Sequence, residues 1–281
     1  MHVIGTRAKP VDWMHITSGT AEYADDIELP EMLHGAVLRS PHVHAQIVDI
    51  DVARARALPG VHAVLTAANL GERMYLDYRP DDSDRHPLAR DVVRHIGEPV
   101  AVVAAVDLPT AQAALGAIKV KYRTLPAVTT VEEALAKGAP ALHAAHPDNV
   151  ASRVRREFGD AAEARAHTSH TISSRYVSSR QTHATMEPHT VLAHWRADER
   201  CLHMWVPSQN PRKLQTDIAH VLELDKAAVR LHELAVGGDF GGRSQISSTE
   251  VLVAALSMAS GRPVKLKQTR AEEFAYTKSR F

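Results

Sequence analysis

Four of the chain's 14 glycines fall within six residues, Gly237-Gly238-Asp239-Phe240-Gly241-Gly242, with Arg243 and Ser244 directly after. Glycine admits positive φ and lets backbone come close to a ligand. Successive N–H groups in such a turn can form a nest for anionic oxygens. Phe240 is the one apolar side chain on this bare loop and could wall a pocket. A tight turn between strand and helix needs only one or two glycines. A second reading is a phosphate loop, because GGDFGGRS is one residue from G-x-x-x-x-G-K-[ST], with Arg243 in place of Lys. Arg does not substitute neutrally for a compact ammonium. That pattern also needs a helix N-terminus at the phosphates, whereas the next helix starts several residues later. Few residues follow Ser244 for the rest of a nucleotide-hydrolase sheet. The dinucleotide pattern G-x-G-x-x-G is not matched.

Other reactive types are sparse or scattered. The 18 histidines include His42-Val43-His44, His143-Ala144-Ala145-His146 and those of the stretch His183 to His189. None has the H-E-x-x-H spacing of a metal site, so most are expected at the surface or locally hydrogen-bonded. A pH-sensitive surface is the inference they allow. The single cysteine, Cys201, excludes an internal disulfide framework and any Cys-based zinc or iron–sulfur site. Cytoplasm is the default compartment.

The loop sits in a run of local signals. Val229 to Val236 reads as the strand feeding it. Ser247 and Glu250 form a capping box for a helix that Gly261 closes, with Pro263 just beyond. Pro263 to Thr269 alternates like a strand. Upstream, Asn210 caps a helix with Pro211 at its first position, and Leu214, Ile218, Val221 and Leu222 recur at helical spacing. In the first half, His34 to Arg39, Ala45 to Asp51, Val61 to Leu65 and Lys119 to Tyr122 read as strands. The apolar run Pro99 to Val106 reads as a buried strand. Asp51 is expected to cap a helix over Val52 to Leu58, and Thr110 to Ile118 fits another. Residues 70 to 90 are polar and turn-rich, as in a surface loop. The Pro- and Gly-bearing stretch Lys137 to Asn149 marks a domain boundary.

Length and composition set the frame. At about 150 residues per domain, 281 residues suggest one large or two ordinary domains. Lys+Arg and Asp+Glu balance at 33 each, which argues against a polyanion-binding surface built on bulk charge. No apolar run approaches the ~18 residues of a membrane span, and the N-terminus carries no apolar signal core.

The glycine loop resembles the GGGFGGK-type loop of the molybdenum hydroxylases, the xanthine dehydrogenase and aldehyde oxidase family. Val206-Pro207-Ser208-Gln209-Asn210-Pro211 resembles that family's strand-end glutamine motif, and Met186-Glu187-Pro188 its short acidic motif. Ala21 to Ile27, Leu38 to His44, Gly97 to Val102 and Leu125 to Ala127 resemble its N-terminal a/b hammerhead domain. Gly261 to Lys265 and Arg270 to Phe281 continue the likeness.

The resemblance implies a mixed α/β (α+β) fold. Residues 1–145 would form the hammerhead domain, and residues 146–281 the first portion of a molybdopterin-binding domain. It implies hydroxylation of an aldehyde or N-heterocycle with oxygen from water. Molybdenum would be held by the pterin dithiolene rather than by protein ligands, which fits the lone cysteine. Partner chains would carry 2Fe-2S clusters and FAD, and the remaining half of the molybdenum subunit would complete the site. Gln209 would donate its amide to an oxo ligand of molybdenum, with Phe240 beside the metal as a neighbour and not a ligand. Gly237, Gly238, Asp239, Phe240, Gly241 and Gly242 would bind cofactor.

Arg243 would meet substrate or the pterin phosphate, or be a solvated loop charge. Asp239 stands where the family has glycine. Ser244 stands where purine-oxidising relatives carry a substrate-binding glutamate, which argues against xanthine as substrate. Glu187 is not expected to be the catalytic base, since the family's catalytic glutamate lies near the far end of a longer subunit. The alternatives are a non-catalytic remnant or assembly module of such a complex, and a phosphate- or nucleotide-binding protein.

Overall fold

The computed structural model describes residues 4–71, 76 and 85–276. Its described residues divide into two compact units, one lying within 4–125 and 183–276, the other in 126–182. The first unit holds both β-sheets.

Its larger sheet has seven strands in the order β3-β5-β1-β10-β7-β8-β9. These are β1 (Leu33–Arg39), β3 (Val61–Thr66), β5 (Pro99–Ala105), β7 (Thr190–Arg196), β8 (Cys201–Trp205), β9 (Val229–His232) and β10 (Val264–Lys267). The strands expected in the first half are all present. β5 is almost wholly buried because its PVAVVAA run is apolar on both faces. Parallel pairing of β1 with β10, Leu33 opposite Val264, makes one sheet of chain segments more than 200 residues apart. The smaller sheet has the order β4-β2-β6, with β2 (Ala45–Asp51), β4 (Val92–Val93) and β6 (Lys119–Thr124).

Helix α1 (Trp13–Ser18) is short and has no buried residue. The helix expected over 52–58 is the single turn α2 (Ala53–Arg56). Asp51 is not its N-cap residue, although its Oδ1 still accepts from the Ala53 amide at 2.9 Å. α3 (Leu108–Ala117) starts two residues before the expected Thr110, because the Asp107 carboxylate caps the Thr110 amide at 2.7 Å.

α6 (Pro211–Val221) and α7 (Ser248–Ser260) flank the site. α6 buries Leu214, Ile218 and Val221 along one face, as the helical spacing predicts. α7 is buried along most of its length and packs on β7, β10, β3 and β5. It ends at Gly261 in the left-handed conformation, φ 64°. α8 (Arg270–Tyr276) follows. The main core joins α7 residues Leu252, Val253 and Leu256 to Leu33, Leu88, Val102, Leu202 and Met204 of the sheet side. Most of the loop expected over 70–90 lies outside the described residues. Of its described part, Gly71 and Arg85 are exposed as expected of a surface loop, whereas Leu76, Leu88 and Ala89 are buried, because apolar side chains among its charges reach the cores.

The second unit contains α4 (Val131–Leu135), capped by Thr130 and Glu133, and α5 (Ala161–Ala166), capped by Asp160. Asn149 ties its first part together: Oδ1 accepts from the Leu142 amide, and Nδ2 donates to the carbonyls of Ala134 and Pro140. The stretch Lys137 to Asn149 lies within this unit. Among the described residues no helix is long and apolar enough to cross a membrane.

Candidate functional site

The glycine loop is not at a helix N-terminus. β9 stops at His232, short of the expected Val236, and α7 begins at Ser248. Residues 233–247 have neither regular helix nor strand. The chain leaves the sheet edge here because the Ala235 amide is donated to the Glu22 carbonyl at 3.0 Å rather than along β8. The phosphate-loop reading therefore fails on geometry, since no helix dipole is aimed at the loop.

Within the loop, Gly238, Phe240 and Gly241 have φ of 109°, 52° and 98°. A non-glycine residue in the left-handed region carries a conformational cost, and Phe240 bears it at the tip. The turn is held from inside. The Gly242 amide donates to the Asp239 carbonyl at 2.9 Å, and the Gly241 amide to Asp239 Oδ1. Ser244 Oγ donates to the Gly241 carbonyl at 3.0 Å. Phe240 is 67% exposed, so it is not a core aromatic.

Glu187 clasps both ends of the loop. Its Oε2 accepts from the Gly237 amide at 2.8 Å and from Arg243 Nη1. Its amide donates to the Gly237 carbonyl at 3.2 Å, and its carbonyl accepts from Arg243 Nη2. Both charged side chains are buried, Arg243 at 4% and Glu187 at 7% exposure. Arg243 is thus not a solvated loop charge. A planar guanidinium can serve a carboxylate and a carbonyl of one residue together, which an ammonium cannot do in the same geometry. Gly237 is required by this clasp, because a Cβ there would lie 2.5 Å from the Glu187 Cβ.

Gln209 reaches the same place from the other side. Beyond the end of β8, Val206 and Pro207 are buried. Asn210 then caps α6 by accepting from the Lys213 amide at 3.3 Å, with Pro211 at the first turn. Between them the Gln209 amide donates to the Arg243 carbonyl at 3.3 Å. The Gln209 side chain is exposed and makes no hydrogen bond with any described residue. The fold thus brings together the acidic motif, the glutamine motif and the glycine loop.

Supporting groups were not evident from the sequence. Arg270 of α8 donates to the carbonyls of Thr185 and Met186, and Thr185 Oγ1 donates to the Glu187 carbonyl at 2.8 Å. His189 is buried, with Nε2 3.0 Å from Glu250 Oε1 and its amide donated to Glu273 Oε1. Burial alone would raise the Glu250 carboxyl, but His189 and the Ser247 hydroxyl hold it below the usual 4.5. The capping glutamate of α7 is therefore also an anchor for the segment bearing Glu187. Only their partners, far away in sequence, reveal these roles.

The loop has unused hydrogen-bonding groups of two kinds. The amides of Gly238, Asp239 and Phe240 donate to no other described group. Six buried side-chain polar atoms among the described residues lack a hydrogen-bond partner, and three of them, His183 Nδ1, Glu187 Oε1 and Asp239 Oδ2, border this loop. A Cβ on Gly242 would lie 3.2 Å from His183 Nδ1, and one on Gly238 would lie 3.2 Å from the Phe240 ring. Buried polar atoms are normally satisfied, so this loop is where the described residues leave hydrogen-bonding capacity unused.

No group of three or more His, Cys, Asp or Glu among the described residues is placed to hold a metal. Most notable among the histidines is His203, whose Nδ1 lies 2.9 Å from His232 Nε2, with Trp205 stacked on His232 at 4.2 Å. Cys201 is buried and free.

Known proteins share both halves of this arrangement. Residues 18–126 match the aldehyde oxidase and xanthine dehydrogenase a/b hammerhead domain, and residues 142–281 the molybdopterin cofactor-binding domain. The nicotine 6-hydroxylase large subunit of Paenarthrobacter nicotinovorans is 31% identical over 96% of this chain and 34% of its own length. The nicotinate dehydrogenase large molybdopterin subunit of Eubacterium barkeri is 32% identical over 99% of this chain and 64% of its own. The crystal structure of quinoline 2-oxidoreductase from Pseudomonas putida 86 superposes with a TM-score of 0.89 at 32% identity, covering 99% of this chain and 36% of that one. The chain therefore spans about a third to two thirds of the length of these relatives. It belongs to the molybdenum hydroxylase family of xanthine dehydrogenases and aldehyde oxidases, matching the hammerhead and molybdopterin-binding parts of the large subunit.

Proposed function

We propose that the chain holds a molybdopterin cofactor at the junction of Gln209 and the glycine loop. On this reading it works within a cytoplasmic molybdenum hydroxylase that oxidises an aldehyde or N-heterocycle. The observation that carries the reading is the bond from the Gln209 amide to the Arg243 carbonyl, which joins the glutamine motif to the loop. The residues present fit the group. A pterin and its phosphate are rich in hydrogen-bonding atoms, and the loop offers the free amides of residues 238–240 beside the unbonded Gln209 side chain.

When bound, molybdopterin supplies the redox chemistry, with molybdenum on its dithiolene and oxygen taken from water. The chain's own residues bind and orient. Gln209 donates its side-chain amide to the cofactor, and Gly238, Asp239 and Phe240 present backbone N–H groups. Phe240 would offer an apolar surface beside the bound cofactor. Glu187 serves the loop as a clasp, its Oε2 accepting from the Gly237 amide and from Arg243. Arg243 serves substrate indirectly, by fixing the loop through Glu187. Ser244 faces the loop carbonyl of Gly241 and leaves no carboxylate at that position for a purine.

The partners on this reading are the rest of the molybdenum subunit, an iron–sulfur chain and an FAD chain. Metal analysis and pterin fluorescence of the purified complex test it. Stoichiometric molybdenum and pterin are expected in complexes containing this chain. Absence of both would leave a non-catalytic assembly module.

A further inference from the structure

We propose that Asp239 selects the substrate, and that its chemical class is an aromatic N-heterocycle offering a ring N–H, not an aldehyde. The inference rests on the cofactor reading above, which makes the loop a wall of the reaction site.

Asp239 uses only half of its carboxylate inside the fold. Oδ1 accepts from the Gly241 amide and shapes the turn. Oδ2 is buried and has no hydrogen-bond partner. A carboxylate accepts and never donates, so the atom that satisfies Oδ2 must bring a hydrogen. Leaving such an oxygen unpaired is costly, and a ligand that pairs it gains that difference on binding.

Two neighbours define what kind of donor fits. Phe240 lies next in sequence, 67% exposed, in the left-handed backbone region and with its ring edge close to Gly238. A flat aromatic ligand can lie against that ring. His183, whose Nδ1 is also buried and unpaired, packs against Gly242 two residues beyond Phe240. The loop thus presents an aromatic surface beside a hydrogen-bond acceptor. A heteroaromatic ring with an N–H satisfies both. An aldehyde carbonyl is an acceptor only and would face the carboxylate oxygen without a proton between them. A site built to pair a substrate N–H rejects the analogue that lacks it far more strongly than an apolar pocket rejects a lost methylene.

The pterin also carries N–H groups and is the other possible source of the donor. The test therefore reads cofactor content and ligand binding separately. The purified complex containing this chain, and its Asp239→Asn and Asp239→Gly variants, are titrated calorimetrically with benzimidazole, 1-methylbenzimidazole and benzaldehyde. Molybdenum and pterin are measured on the same samples. Asp239→Asn keeps an acceptor for the Gly241 amide, so the turn survives, while it can turn a donor toward the ligand. The expected result is a preference for benzimidazole over its N-methyl analogue of about tenfold or more in the parent complex. That preference should vanish in both variants with cofactor content unchanged. A preference absent from the parent, or retained by both variants, overturns the inference. So does a loss of pterin in Asp239→Asn, which would assign the carboxylate to the cofactor. Absence of molybdenum from the parent would overturn the cofactor reading instead, and the calorimetric preference, which needs no turnover, would still decide the role of Asp239.

Discussion

Glu187 and Arg243 form a buried ion pair across 56 residues of sequence, and that pair closes the glycine loop at both ends. The same carboxylate oxygen receives the Gly237 amide, so the loop's first glycine and the residue that follows its last one are fixed to one side chain. Arg270 and the His189–Glu250 pair hold the segment that carries Glu187. The loop is therefore positioned by charge and hydrogen bonds, and the amides of Gly238, Asp239 and Phe240 are left without a partner among the described residues.

Removing one partner of this pair should be severe. Glu187→Gln leaves a buried guanidinium uncompensated, and Arg243→Met leaves a buried carboxylate. Each should lower stability by about 3–5 kcal/mol, read as an earlier midpoint in urea. Arg243→Lys keeps the charge but loses the two-pronged grip on Glu187 Oε2 and its carbonyl, and should fall between parent and Met. A midpoint for Glu187→Gln equal to the parent's would mean the pair does not hold the loop.

Glycine 237 should tolerate no methyl. The added Cβ meets the Cβ of Glu187 at 2.5 Å, an atom that cannot swing away. Gly237→Ala is expected to cost about 1–3 kcal/mol through overpacking. Gly116→Ala is the matched control. It lies in helix α3 with nothing within 4 Å of the new atom, and should stabilise by up to about 1 kcal/mol. Thermal melts of the two variants should shift in opposite directions.

Stability should decline in two stages as the medium is acidified. Burial first, and then Arg196 and His203, hold His194 below its usual 6.5; burial, His203 and Arg230 do the same for His232. The unfolded chain then binds more protons than the folded one once pH drops below about 6.5, so stability falls there. The second stage belongs to carboxylates. Burial opposes the depression of Glu250 and Glu272. His189 outweighs it for the first, the Thr269 amide and Arg39 for the second, and both lie below the usual 4.5. Their contribution is present above about pH 4.5 and is lost as pH falls through their lower folded values. Stability measured against pH in the Glu250→Gln variant should lose part of the second stage only. The His194→Asn, His232→Asn double variant should flatten the first.

Much of this was legible in the sequence because it is local. The capping boxes and proline starts that delimit α6 and α7 act within four residues, and the apolar run of β5 declares its own burial. The likeness of Gln209 and the glycine loop to a known family singled out two segments that the fold joins through the Gln209 amide and the Arg243 carbonyl. What escaped the sequence is non-local. Arg243 beside glycines looks solvated until Glu187, 56 positions earlier, arrives to bury it. β9 ends early because Ala235 bonds to Glu22, a residue from the start of the chain. The joining of β1 to β10 likewise depends on segments that no local pattern relates.

The central claim is that molybdenum sits where Gln209 meets the glycine loop. Anomalous scattering at the molybdenum edge, from crystals of the complex containing this chain, locates the metal directly. The account predicts one peak per chain, beside the Gln209 side chain and the amides of Gly238 to Phe240. A peak elsewhere in the complex, or none in crystals of active enzyme, would contradict it.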